Sequence, residues 1–98
     1  MPIQHTVVFR LSHAPESPAE QEFLDTARTT LTAIPGVTEF VVNEQVSPKS
    51  DLRWQFSMIF ADQAAYDGYN EHPVHTAFVA DRWVPEVADF LEIDYAPL

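Results

Sequence analysis

The stretch VTEFVVNEQVSPKSDLRWQFSMIF, residues 37–60, decides the fold. From Val37 to Val46, Phe40, Val42 and Val46 share one face, and Glu39, Val41, Asn43 and Gln45 share the other. From Leu52 to Phe60, Leu52, Trp54, Phe56, Met58 and Phe60 alternate with Arg53, Gln55, Ser57 and Ile59. A period of two with β-branched and aromatic residues reads as strand. The five residues between, Ser47-Pro48-Lys49-Ser50-Asp51, suit a turn short enough for an antiparallel hairpin.

Helical patterns flank this hairpin, with a strand beyond each. Towards the N-terminus, Ser17-Pro18-Ala19-Glu20 has the capping serine, the proline at the first helical position and the glutamate of a helix start. Phe23, Leu24, Ala27, Leu31 and Ile34 follow as one apolar stripe, which Pro35-Gly36 ends. Before it, Ile3, His5, Val7, Phe9 and Leu11 alternate with Gln4, Thr6, Val8 and Arg10, a strand over 3–11.

Towards the C-terminus, Asp62 can cap a helix through Asn70 with Ala65, Tyr66 and Tyr69 inward. His72-Pro73 interrupts it, because a residue before proline is pushed out of the helical region. Helix resumes from Pro73 through Val79, and Asp81–Val87 predicts a short helix bent or broken at Pro85. Phe90–Tyr95 predicts the last strand.

The order βαββαβ specifies an α+β, ferredoxin-like domain over residues 1–98, a four-stranded antiparallel sheet with helices on one face. The other face carries Thr6, Val8, Val41, Ser57 and Ile59, too apolar in part for water and too polar for an ordinary core. A second copy of the same sheet would cover it, closing a homodimeric barrel through the sheet faces. A chain of 98 residues without cysteine gains from such burial, since no disulfide can support a small core.

Composition narrows the partners. The net charge is −10, and the five cations, Arg10, Arg28, Lys49, Arg53 and Arg82, are scattered. No run of phosphates could be neutralised, so neither nucleic acid nor an anionic membrane is expected. The first residues lack the basic and apolar regions of a secretory signal, and no stretch has the roughly 20 apolar residues of a membrane helix. The cytoplasm is the default location. With Gly36 and Gly68 the only glycines, no phosphate-cradling loop can be built.

The chain resembles the Dabb family, the stress-responsive A/B-barrel domains of the dimeric α+β barrel superfamily. The resemblance is carried by His5 opening the first strand, Ile34-Pro35-Gly36 closing the first helix, the segment Tyr69-Asn70-Glu71-His72-Pro73-Val74-His75-Thr76-Ala77-Phe78, and Ile93-Asp94-Tyr95 at the end. It implies a homodimer. The family's plant polyketide cyclases close a linear polyketide by intramolecular aldol condensation without a cofactor. Their working histidine, tyrosine and second histidine of the His-Pro segment correspond to His5, Tyr69 and His75. Where such a cyclase presents bulky aromatic residues from the first helix, this chain has Leu24 and Ala27, and Trp54 and Phe56 are expected to fill that volume.

Spacing supports the same grouping. Tyr69, His72 and His75 follow one another at intervals of three, which places them near one helix face, and His5 shares its strand face with Val7 and Phe9. A pocket between sheet and helices, walled by Val7, Leu24, Ala27, Trp54, Phe56, His72 and Phe78, is expected to bring His5, Tyr69 and His75 together. There His75 would abstract a proton beside a carbonyl, Tyr69 would hydrogen-bond the enolate oxygen, and His5 would orient.

The ligand implied is a small hydrophobic carbonyl compound. Plainer roles exist for each residue: a core histidine, an amphipathic core tyrosine, and, for His72, a cap at the turn. His5, His72 and His75 could offer nitrogen ligands, but no carboxylate stands at a recognisable ligand spacing, so no metal is expected and no cofactor is required. Two other readings share the fold. One is a small dimeric-barrel monooxygenase; the other is a non-catalytic, stress-associated dimer that binds a hydrophobic ligand.

Overall fold

The computed structural model describes residues 1–98. Strand β1 spans Ile3–Leu11, helix α1 Pro18–Thr32, β2 Thr38–Glu44, β3 Trp54–Phe60, α2 Gln63–Glu71 and α3 Pro73–Phe78. A π-helical turn, Val79–Trp83, leads into α4, Val84–Glu86, and β4, Val87–Tyr95. The sheet order is β2-β3-β1-β4, with every neighbouring pair antiparallel, as the ferredoxin-like plan requires.

The alternation of β1 and β3 sorts residues as their pattern predicts. Val7, Phe9 and Leu11 meet Phe56, Met58 and Phe60 on the inner face, all buried. Phe23, Leu24, Ala27, Leu31 and Ile34 from the α1 side close over them. Phe9 sits edge-on to both Phe23 and Phe56, and Trp83 packs against all three. This aromatic cluster is the centre of the core, since rings of this size bury most apolar area per residue.

The N-terminus of α1 forms as expected, with one difference. The Glu20 amide donates to the Ser17 hydroxyl at 3.2 Å, but the Glu20 carboxylate accepts from the Glu16 amide at 3.0 Å and the Trp54 indole N–H at 3.1 Å. The cap therefore also ties the helix to β3. At its far end Gly36 adopts φ +92°, a left-handed turn that favours glycine.

Four boundaries differ from the sequence reading. Strand β2 is shorter than 37–46, and Val46 lies outside it, exposed. A bulge falls between Thr38 and Val41, with Glu39 at φ 51°; one extra residue shifts the register, which a strict two-residue period cannot express. Strand β3 starts at Trp54 rather than Leu52, and β4 starts at Val87 rather than Phe90. The expected break at Pro85 does not occur. The backbone widens into the π turn, the Val84 N–H donating to the Val79 carbonyl, and Pro85 then sits in the first turn of α4, where its missing N–H costs nothing.

Candidate active site

The site begins with strand pairing. Alternation puts His5 on the inner face of β1, and the β1–β4 register sets Asp94 opposite His5 and Glu92 opposite Val7. His5 Nδ1 lies 2.7 Å from Asp94 Oδ1, and the Tyr66 hydroxyl of α2 donates to Asp94 Oδ2 at 2.8 Å. Tyr66 oxygen is also 2.9 Å from His5 Nδ1. A carboxylate can only accept, so the proton of neutral His5 sits on Nδ1 and its lone pair on Nε2. The Tyr66 ring is held by stacking on Phe60 at 5.0 Å.

One turn further along α2, Tyr69 packs on Phe60 and stands 6.1 Å from the His5 ring, centroid to centroid, and 4.3 Å from the His75 ring. His75 Nδ1 is 3.1 Å from the Asn70 carbonyl. Because a carbonyl cannot donate, this fixes the proton of His75 on Nδ1 and leaves Nε2 with the free pair. Burial holds the His75 pKa below its ordinary value, outweighing the Asn70 hydrogen bond. Burial, aided by the charge of Glu92, raises the Tyr69 pKa, so Tyr69 remains an O–H donor. Tyr66 is raised as well, by burial and then by Asp94.

His5, Tyr69 and His75 border one partly open cavity of about 340 Å³ between the sheet and the helices. Val7, Phe56 and Phe78 line it with them, as do Trp83, Phe90 and Glu92. The π turn contributes Val79 and Trp83 to one wall, and α4 adds Val84. The Tyr69 residue is only 2% exposed, and its hydroxyl makes no hydrogen bond in the chain, yet is not sealed from the cavity.

Four residues expected in the wall are elsewhere. Leu24 and Ala27 are consumed in α1–sheet packing, and Trp54 is turned towards Glu20. His72 caps α3, accepting from the Val74 amide at 3.1 Å, because the residue before Pro73 is extended and its ring folds back on the helix start.

Conversely, sequence spacing missed Tyr66, Asn70, Glu92 and Asp94. The acids had a signal: two carboxylates at alternate positions on a strand face that otherwise carries Phe90. The sequence offered no carboxylate at a recognisable ligand spacing, and these two reach His5 alone, from the far end of the chain. His5, Glu92 and Asp94 bring their ligand-type atoms within 4.8 Å of one another, through strand pairing rather than sequence spacing.

No curated protein matches the chain. A Dabb-family protein with a ferredoxin-like fold from Mesorhizobium loti is 61% identical, covering 99% of this chain and 97% of that one, with a TM-score of 0.98. A dimeric ferredoxin-like protein of unknown function from Thermobifida fusca shares the fold at 19% identity and TM-score 0.79, covering 99% of this chain and 92% of that one. So does the hydroxynitrile lyase of Passiflora edulis, at 13% identity and TM-score 0.84, covering 99% and 94%. The family model for the stress responsive A/B barrel domain matches residues 3–97. With that match and the Mesorhizobium relative, the chain belongs to the Dabb family.

Proposed function

We propose that this protein is a cofactor-independent enzyme that moves a proton beside the carbonyl of a small, largely apolar compound, in the manner of a cyclase or lyase. The observation that carries the reading is the convergence of three groups on one cavity. These are His75 Nε2, with a free pair and no charge at neutral pH; His5 Nε2, free because Asp94 takes the other nitrogen; and the Tyr69 hydroxyl, protonated and without a partner. His75 abstracts a proton α to the carbonyl, and the Tyr69 O–H stabilises the oxygen as it gains charge. In ring closure the enolate carbon attacks a second carbonyl, and the imidazolium of His75 returns its proton to the new alkoxide. His5, held by Asp94 and Tyr66, orients the substrate. The Passiflora relative is a lyase on this fold, which at its low identity speaks for the fold alone.

The working unit in this proposal is a homodimer joined through the outer sheet faces. Val41, Leu91, Ile93 and Tyr95 on that face are 41–52% exposed in the single chain. Exposed apolar side chains of this size at both edges of an open sheet face suit an interaction surface.

The test is turnover of a panel of small diketones by wild type and His75→Ala. A loss of about 10² to 10⁴ in rate is expected, with the fold intact by circular dichroism. Equal turnover by the variant, or turnover that consumes oxygen, would exclude the mechanism.

A further inference from the structure

One charged group on the cavity is unused by that mechanism. Glu92 lines the wall with its carboxylate half-exposed. The neighbouring donors are spent elsewhere: His5 Nδ1 is 2.7 Å from Asp94 but 3.8 Å from Glu92, and the Tyr66 hydroxyl is 2.8 Å from Asp94 but 3.4 Å from Glu92. No lysine or arginine lines the cavity. Instead Glu92 shares it with the rings of Phe56, Phe78, Trp83 and Phe90. A carboxylate beside aromatic faces, with no lysine or arginine among the lining residues, fits an organic ammonium group and disfavours an anion. The second polar feature, the unpartnered Tyr69 hydroxyl, belongs to the same cavity and fits a carbonyl oxygen.

Resting on the carbonyl reading above, we infer that the ligand of this cavity is a small carbonyl compound bearing a protonated amine, and that Glu92 is the residue that selects it. Uncharged analogues bind less well, and carboxylate-bearing ones least. Asp94 cannot take this role, since both its oxygens are occupied by His5 and Tyr66.

The test is binding, read without turnover. Three aryl ketones differing only at the chain end (ammonium in 3-amino-1-phenylpropan-1-one, methyl in butyrophenone, carboxylate in benzoylpropionate) are titrated at pH 8 and about 0.15 M salt, where long-range attraction to the acidic chain is screened. Wild type is expected to hold the ammonium ketone about tenfold tighter than the methyl ketone, with the carboxylate weakest. Glu92→Gln should reduce the ammonium advantage to less than about threefold, and Glu92→Asp should retain part of it. Equal affinity for the three probes, or an advantage unchanged in Glu92→Gln, overturns the inference. Ammonium selectivity without His75-dependent turnover of any ketone leaves the subsite standing and removes the proton-transfer reading. Turnover of uncharged ketones with no selectivity does the reverse.

Discussion

Asp94 decides which nitrogen of His5 carries the proton, and that makes it a positioning residue with a spectroscopic signature. Asp94→Asn can turn its amide N–H towards Nδ1 and reverse the tautomer. Nitrogen chemical shifts of His5 should show the proton moved to Nε2, with kcat lowered by about 10²-fold. An unchanged tautomer would show that Asp94 does not govern it. His75 gives a pH prediction with a definite sign. Its native pKa lies below its ordinary value of 6.5, so it adds no pH dependence to stability above that value. As pH falls from there towards the native value, the unfolded chain binds more proton than the native one, and stability drops. Denaturant midpoints measured across this window should fall more steeply for wild type than for His75→Ala. The acid limb of kcat/KM should likewise lie below pH 6.5. At this scale the shared position of His5, Tyr69 and His75 on one cavity was legible, because helical spacing and strand alternation place residues that are close in sequence, whereas the same spacing misplaced His72. Glu92 and Asp94 were not, because their neighbour His5 is nearly the whole chain away and only register brings them together.

Elements show where a pattern of fixed period stops being informative. The cores of β1, β3 and α1 follow their periods closely, but the β2 bulge and the π turn each insert a residue that breaks the count. Glu39 holds φ 51° on an exposed segment, where the Cβ of an L-residue is disfavoured. Glu39→Gly should therefore raise unfolding stability by up to about 1 kcal/mol in a denaturant titration. A loss of stability would mean the glutamate side chain contributes more than the backbone costs. The link between α1 and β3 predicts the opposite sign. Glu20 is buried and accepts from both the Glu16 amide and the Trp54 indole, so Glu20→Ala leaves two donors unpaired. A cost of about 1–3 kcal/mol is expected in the same experiment. Trp54 was expected to line the cavity because its strand face points that way; nothing local in the sequence reveals that Glu20, 34 positions away, draws its ring aside.

The whole molecule is a sheet with one face under helices and one face open. Leu91→Asp or Val41→Asp would place a charge on the open face, and sedimentation should show the dimer dissociating at concentrations about 10²-fold higher than for wild type. A dimer of undiminished affinity would move the interface elsewhere. The fold was legible at this scale because the strand and helix signals follow one another in a single consistent order; the cavity was not, since its shape depends on which side chains the core consumes first. The pairing of β1 with β4 runs from Gln4 opposite Tyr95 to Leu11 opposite Val87. A nascent chain on the ribosome can form the central hairpin and α1 while β4 is still inside the exit tunnel, but His5 then has no carboxylate to meet. The candidate site is thus completed only once β4 has emerged and paired with β1.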